Sequence, residues 1–172
     1  IWPYYSTLFD YEIELACVIG KSGKDIRRDR AREHIFGYTI FNDFSARDEI
    51  AREITMLMGP SKGKDFDTGI VLGPCLVTAD SFDPYAADMI VRVNGEERSR
   101  GNSGTIHWRF EDMIAHVSRC ETLQSGEVLG SGTVGFGCGL ELGRFLSPGD
   151  VVELEIAGIG VLRNRVVRPE RG

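Results

Sequence analysis

The segment from Asp10 to Gly20 constrains the fold most, because it joins the pattern of a buried strand to two acidic side chains at one end. From Ile13 onward the segment is apolar and rich in β-branched residues, as expected of a strand in a core. Glu12 and Glu14 open it two positions apart, and alternation along a strand places both carboxylates on one face. Like charges this close repel each other and are costly to desolvate, so the pair needs a compensating cation. A divalent metal is the simplest candidate.

The composition indicates a soluble protein whose partner is a small molecule. The 172 residues are enough for one domain with a substantial core, and we predict a single domain over residues 1–172. A net charge of −6 gives no basic field for nucleic acid or anionic lipid, and no apolar run is long enough to cross a bilayer. The four cysteines lack CxxC spacing, which favours reduced thiols and a cytoplasmic protein. The chain begins at Ile1 without an initiator methionine, so we expect a segment upstream of it.

Apolar periodicity and turn residues divide the chain into short elements. We expect about eight strands and three short helices, which is typical of a β-rich α+β domain. Strands are predicted over 13–20, 37–41, 69–78, 126–134, 151–156 and 160–167 and in a hairpin over 88–100, and helices over 29–36, 44–57 and 110–118. The hairpin turns at Asn94-Gly95, a dipeptide favoured in type I′ turns. Ser45, with Asp48 three residues later, resembles a capping box for the second helix.

Two further stretches are candidates for a binding site. Asp43 lies where a strand gives way to a helix, a position from which side chains reach the mouth of a pocket, although a turn aspartate is the commoner role. The glycine-rich stretch 135–139 lacks the Gly-Lys-Ser/Thr ending of a phosphate loop. We therefore expect its glycines to allow close backbone approach beside a ligand.

Taken together and in order, several motifs resemble the fumarylacetoacetate hydrolase family over nearly the whole chain, from Trp2 to Val167. The matching segments are Asp10-Tyr11-Glu12-Ile13-Glu14-Leu15, Asn42-Asp43-Phe44-Ser45-Ala46-Arg47-Asp48, Gly63-Lys64-Asp65-Phe66-Asp67-Thr68, Leu72-Gly73-Pro74, Val93-Asn94-Gly95-Glu96, Ser131-Gly132-Thr133 and Pro148-Gly149-Asp150. Each segment alone is a weak signal, whereas the ordered set is specific.

The resemblance implies a mixed β-sandwich roll, usually a homodimer, with one Mg²⁺ or Mn²⁺ at the mouth of the roll. Glu12, Glu14 and Asp43 fall on the family's carboxylate ligands. This agrees with the residues themselves, because hard oxygen donors suit Mg²⁺, Mn²⁺ or Ca²⁺ and argue against zinc. Three carboxylates leave coordination positions for water and for a chelating carboxylate substrate.

The resemblance also implies roles for three other residues. Lys64 matches a lysine near the metal, whose ammonium supplies positive charge to a developing oxyanion. Thr133 matches a substrate-binding threonine. Glu141 matches a glutamate that orients a water-activating histidine in the hydrolases, and that histidine belongs to a segment upstream of Ile1. Arg47, in the same motif as Asp43, is interpreted as mainly structural.

The function implied is a metal-dependent hydrolase that cleaves a carbon–carbon bond in a small 2-oxo or β-diketo carboxylate through an enolate. An alternative is an isomerase or decarboxylase of a 2-hydroxy-diene-dioate or an oxaloacetate-like acid, which needs no activated water. Neither His34 nor His107 stands at the position of the catalytic histidine, so hydrolysis depends on the upstream segment. A catalytically silent scaffold is the alternative of another class. Such a protein would not need all the acidic residues and the lysine together.

Overall fold

Two four-stranded sheets pack against each other and enclose one apolar core. The computed structural model describes residues 1–57 and 59–168. In chain order the strands are β1 (Phe9–Asp10), β2 (Ile13–Ile19), β3 (Gly23–Lys24), β4 (Ile35–Asp43), β5 (Ser45–Ala46), β6 (Ile70–Thr78), β7 (Asp88–Val93), β8 (Glu96–Asn102), β9 (Thr122–Leu123), β10 (Val128–Gly130), β11 (Val151–Ile156) and β12 (Gly160–Arg165). The α-helices are α1 (Arg47–Thr55), α2 (Phe110–Val117) and α3 (Gly139–Leu142), and 3₁₀ helices span Arg28–His34 and Ser103–Thr105.

The first sheet has the order β10-β2-β4-β6 and the second the order β12-β11-β7-β8. Two small ribbons, β1 with β5 and β3 with β9, complete the pairing. The resemblance implies a mixed roll, and every strand pairing that the structure describes is antiparallel. The β-rich α+β class with a sandwich of two sheets is confirmed.

Strand β2 lies in the middle of the first sheet, as its apolar sequence predicts. Its side chains alternate, and Ile13, Leu15, Cys17 and Ile19 turn into the core with at most 1% exposure. The opposite face carries Glu14, so the alternation that builds the core also fixes the face on which the acidic residues stand.

The hairpin of β7 and β8 forms as predicted. Asn94 and Gly95 both have positive φ, 55° and 80°, which a type I′ turn requires. The predicted helix near residue 30 is a 3₁₀ helix that ends at His34. Ile35 and Phe36 already belong to β4, because Ile35 pairs with Ile19 of β2.

The predicted start of the second helix is wrong. Ser45 and Ala46 form β5 against β1, and α1 begins only at Arg47, with no side-chain cap. The capping box does not form, because Ser45 Oγ donates to the carbonyl of Asp43 and the Asp48 carboxylate accepts bonds from Ser6 and Thr7. The helix ends at Thr55, two residues before the predicted end.

The strand predicted over 126–134 is shorter than expected. Only Val128–Gly130 pairs with β2, and the chain leaves the sheet at Ser131. The strand predicted over 69–78 is present as β6, and its register with β4 shifts between Tyr38 and Ile40. Among the described helices, none has both the length and the apolar character needed to cross a membrane.

Candidate metal centre

Three carboxylates converge at one end of the β2–β4 pair. Glu14 lies in β2, Glu12 directly precedes that strand, and Asp43 ends β4. The antiparallel register, in which Ile13 stands opposite Asn42, brings the start of one strand to the end of the other. One oxygen from each carboxylate lies within 4.8 Å of the others. The structure therefore assembles the predicted acidic cluster, which we call the triad, from positions up to thirty-one residues apart in the chain.

Glu14 is the most buried member of the triad, with 4% exposure. Its Oε2 accepts a hydrogen bond from the backbone N–H of Gly132 at 2.9 Å. A Cβ at residue 130 would stand 2.4 Å from the same oxygen, so only glycine leaves room for the carboxylate there. Burial, reinforced by the charges of Asp43 and Glu12, raises the pKa of Glu14 to about 7. A buried carboxylate with one donor and two acidic neighbours lacks positive charge.

Lys64 supplies part of that charge. Its Nζ lies 2.7 Å from Oε2 of Glu12 and 2.6 Å from Oδ2 of Asp43. Burial raises the pKa of Asp43, and the hydrogen bond and charge of Lys64 oppose that rise. The lysine that the resemblance placed near the metal thus contacts two of the three candidate ligands.

The loop that carries Lys64 is fixed by a residue that the sequence analysis missed. The carboxylate of Glu53, near the end of α1, accepts hydrogen bonds from the backbone N–H groups of Ser61, Lys62 and Gly63 at 2.7, 2.6 and 3.2 Å. The Gly63 carbonyl in turn accepts a bond from Ala46 of β5. No motif marks Glu53, because its partners are backbone groups whose position depends on the folded loop.

Asp10 and Arg47 form a buried pair beside the triad. The Nε of Arg47 lies 2.8 Å from Asp10 Oδ2, and its Nη2 lies 2.7 Å from Oε1 of Glu12. Arg47, interpreted from sequence as mainly structural, therefore also contacts the triad. Burial raises the pKa of Asp10, and the Arg47 charge opposes that rise.

Asp10 also holds the glycine-rich stretch. Its carboxylate accepts bonds from the N–H groups of Gly139 at 2.7 Å and Leu140 at 2.9 Å, where α3 begins. A Cβ at Gly139 would stand 2.4 Å from Asp10 Oδ1. The glycine-rich stretch was expected to let the backbone approach a ligand closely. At Gly139 the group that the backbone approaches is instead the Asp10 carboxylate.

The structure does not join Thr133 or Glu141 to the triad by a direct contact. Thr133 Oγ1 is buried and has no hydrogen-bond partner. Glu141 lies in α3, where Cys138 Sγ donates to its Oε2 at 3.5 Å. Cys138 forms a backbone bridge with Glu12, which brings α3 alongside the triad. Their roles in substrate binding and catalysis stay predictions.

The fold and the ordered motifs agree with one family. The model of the fumarylacetoacetate (FAA) hydrolase C-terminal family matches residues 1–167. The chain belongs to this family. Within the FAA hydrolase family, the chain is similar to human mitochondrial oxaloacetate tautomerase FAHD2A, with 42% identity over 170 residues that make up 97% of this chain and 53% of the relative. It is 39% identical to the oxaloacetate tautomerase YisK of Bacillus subtilis over 91% of this chain and 52% of that protein.

A solved member of the family is similar in structure. Fumarylpyruvate hydrolase from Pseudomonas aeruginosa, determined in complex with Mn²⁺ and pyruvate, has a TM-score of 0.88 and 31% identity over 98% of this chain and 70% of that one. The chain spans about half the length of the curated relatives that it matches. The chain therefore has the fold of the FAA hydrolase family and belongs to a family of enzymes.

The triad fits a hard divalent cation. Its donors are carboxylate oxygens, one from each of three residues, and they converge on one point. Glu14 stays buried with a single N–H donor, an arrangement that a bound cation would stabilise. Glu12, Glu14 and Asp43 would hold the metal, and Lys64 would lie beside it.

Proposed function

We propose that this chain is the catalytic domain of a divalent-metal-dependent enzyme that interconverts the keto and enol forms of a small 2-oxo dicarboxylate such as oxaloacetate. The observation that carries the proposal is the triad with Lys64 ion-paired to two of its members. A cation held by the three carboxylates, together with the Lys64 ammonium, would stabilise the negative charge of an enolate. The names of two similar relatives, both oxaloacetate tautomerases, support the substrate class.

The residues of the chain have separable tasks in this reaction. A divalent cation held by the triad supplies a Lewis acid for a chelating 2-oxo acid. Lys64 has three N–H donors, and two of them are directed to Glu12 and Asp43. The third can donate to the oxygen that becomes the enol. The unpartnered Thr133 hydroxyl can donate to a substrate carboxylate.

Tautomerisation is preferred to hydrolysis because two similar relatives, human FAHD2A and YisK of Bacillus subtilis, are both named oxaloacetate tautomerases. Hydrolysis additionally needs a base that activates water, and the resemblance assigns that task to neither His34 nor His107. Moving a proton between carbon and oxygen needs no water as nucleophile. Isomerisation of an oxaloacetate-like acid, rather than hydrolysis, is therefore the main proposal.

Hydrolysis is the second candidate. It is supported by the similarity to fumarylpyruvate hydrolase and by the position of Glu141, whose helix α3 adjoins Glu12 through Cys138. Decarboxylation of oxaloacetate would use the same enolate. The three reactions differ in their products, so one assay separates them.

The test follows oxaloacetate in the presence of Mg²⁺ or Mn²⁺, with enol absorbance and pyruvate release recorded together, and acylpyruvates assayed in parallel. A tautomerase accelerates loss of the enol without raising pyruvate above the uncatalysed rate. Acylpyruvate cleavage without enol conversion would establish the hydrolase instead, and pyruvate from oxaloacetate would establish the decarboxylase. No metal binding and no turnover would restore the silent scaffold.

A matched pair of lysine variants tests the role of Lys64. Lys64→Met should lower turnover by about 100-fold or more, because it removes the donor to the developing oxyanion. Lys62→Met, two residues away on the same loop, removes a lysine whose side chain is 63% exposed and should leave turnover unchanged. Equal activity of both variants would contradict the assignment.

The homodimer implied by the resemblance is also a proposal. Light scattering at several concentrations tests it, and a monomer at all of them would contradict it.

A further inference from the structure

A cavity of about 220 Å³ lies next to the triad, between two loops. One loop, residues 105–108, precedes α2, and the other, residues 131–135, follows β10. We call it the distal cavity. It adjoins the triad through Gly132, whose N–H donates to Glu14 Oε2 while the same residue lines the cavity. The backbone at Gly132 thus borders both the triad and the distal cavity.

The lining of the distal cavity differs in charge from the triad. The cavity is lined by no acidic residue. Of its hydroxyl groups, those of Thr105 and Ser131 already donate to the carbonyls of Asn102 and Gly132, whereas the Thr133 hydroxyl is buried and has no hydrogen-bond partner among the described residues. A buried hydroxyl without a partner costs free energy, which a ligand acceptor would recover.

His107 and Trp108 form the outer wall. Their rings meet edge to face, with centroids 4.8 Å apart, and both side chains are exposed, Trp108 at 64%. An imidazole has at least one N–H donor in either tautomer, and the indole is a donor only. Among the described residues, no hydrogen bond uses either ring, so the N–H groups of both are available to a ligand.

We propose that the distal cavity receives the far carboxylate of a 2-oxo dicarboxylate whose 2-oxo acid end is held at the triad, and that His107 is the residue that selects dicarboxylates over monocarboxylates. This rests on the proposed function. A cavity that offers the unused donors of Thr133, His107 and Trp108 and has no acidic group in its lining, next to the residue whose N–H donates to Glu14, fits a second anionic group on the same substrate.

The test compares a dicarboxylate with a monocarboxylate in the same reaction. Deuterium exchange at C3 reports proton transfer for both oxaloacetate and 2-oxobutyrate. It is followed by NMR in a buffer that contains Mg²⁺ and no Mn²⁺. His107→Leu removes the donor and keeps the bulk. It should raise KM for oxaloacetate about tenfold or more and leave the parameters for 2-oxobutyrate unchanged.

Two further variants make the result specific. His107→Gln keeps an N–H donor and should restore most of the preference for oxaloacetate. His116→Leu makes the same chemical change at an exposed histidine of α2 that does not line the distal cavity, and should have no effect. Calorimetric binding of oxalate, which is too short to reach the distal cavity, should be equal in all the variants.

The outcomes separate this inference from the proposed function. An active wild type whose preference survives His107→Leu would overturn the role of His107 and leave the tautomerase intact. A loss of exchange for both substrates in His107→Leu, with oxalate binding also weakened, would likewise overturn the role of His107 in selection, because His107 would then act on the triad. A wild type that exchanges neither substrate would refute the proposed function itself.

Discussion

Two carboxylates four residues apart, Asp10 and Glu14, are both nearly inaccessible to solvent, yet their surroundings differ. Asp10 accepts hydrogen bonds from three backbone N–H groups and from the Arg47 guanidinium. Glu14 accepts one backbone N–H and faces two other carboxylates. The four donors around Asp10 offset part of its desolvation, although its pKa is still raised, whereas Glu14 has a single donor to offset its own.

The difference separates a structural acid from a functional one. Asp10 joins β1 to α1 and α3, and it shares the Arg47 guanidinium with Glu12. Glu14 lies in β2 of the first four-stranded sheet, with a deficit of positive charge that Lys64 only partly offsets, because the Lys64 ammonium is paired with Glu12 and Asp43. A site short of positive charge is a candidate for cation binding, and the following predictions test the contrast between Asp10 and Glu14.

The largest effect is expected from Asp10→Ala. The substitution leaves the Arg47 guanidinium buried with a weaker set of partners and the N–H groups of Gly139 and Leu140 without an acceptor. We expect the free energy of unfolding to fall by about 3–5 kcal/mol. Urea denaturation measures it.

Asp48→Ala is the control for Asp10→Ala. Asp48 also accepts several hydrogen bonds, but from part-buried and exposed partners, so its loss should cost only about 1–2 kcal/mol. Equal losses in the two variants would show that Asp10 is not the better-compensated structural acid that we describe.

The pH dependence of the metal-free protein should show the deficit at Glu14. The pKa of Glu14 is about 7 in the folded protein and near 4.5 when unfolded, so the folded state holds the proton more tightly. Its contribution to stability is therefore fully present below pH 4.5 and is lost as the pH rises through 7. The loss amounts to about 3 kcal/mol at most.

That contribution is isolated by subtracting the unfolding free energies of Glu14→Gln from those of the wild type, both in chelator, between pH 4 and pH 8. A difference that stays constant across this range would contradict the raised pKa. The subtraction removes the contributions of acidic residues remote from the triad, whereas any change in the titration of Glu12 and Asp43 is part of the measured difference.

The same substitution should stabilise the metal-free protein at pH 8. Glutamine fills the space of Glu14 without its charge, so we expect the free energy of unfolding to rise by about 1–3 kcal/mol, reduced by the weaker bond from Gly132. Glu121→Gln, at an exposed position, should change it little. If Glu14→Gln destabilised the protein while Glu121→Gln did not, Glu14 would be a structural acid like Asp10.

The smallest effect is expected from Glu53→Gln. The variant weakens three bonds that position the Lys64 loop, so turnover should fall by about two- to fivefold while affinity for the metal stays unchanged. Glu49→Gln, which alters an acid paired with Arg52 on the same helix, is the control and should retain full turnover. A loss of metal affinity in Glu53→Gln would show that it acts on the triad rather than on Lys64.

The sequence was sufficient where a local rule determines the structure. Alternation along β2 placed Glu12 and Glu14 on one face, and Asn94-Gly95 specified its turn. The resemblance, rather than any pattern, brought Asp43 and Lys64 to the same place, since their proximity depends on the register of β2 with β4 and on a loop held by Glu53.

The sequence was insufficient where tertiary contacts override a local signal. Ser45 has the spacing of a helix cap but joins a strand, because β1 offers its backbone a partner. The bonds of Asp10 to Gly139 and Leu140 span about 130 residues, and no sequence pattern predicts them. The distal cavity has the same origin, since its two loops meet only in the folded chain.

We propose that the triad is a divalent-cation site and that Glu14 completes it. This can be tested by calorimetric titration of the chelator-stripped protein with Mn²⁺, with the wild type and Glu14→Gln side by side. We expect one ion per chain in the wild type and binding at least about 100-fold weaker in Glu14→Gln, whose fold is retained. Equal Mn²⁺ affinity in the two proteins would show that Glu14 is not a ligand. No binding to the wild type would show that the triad is not a divalent-cation site.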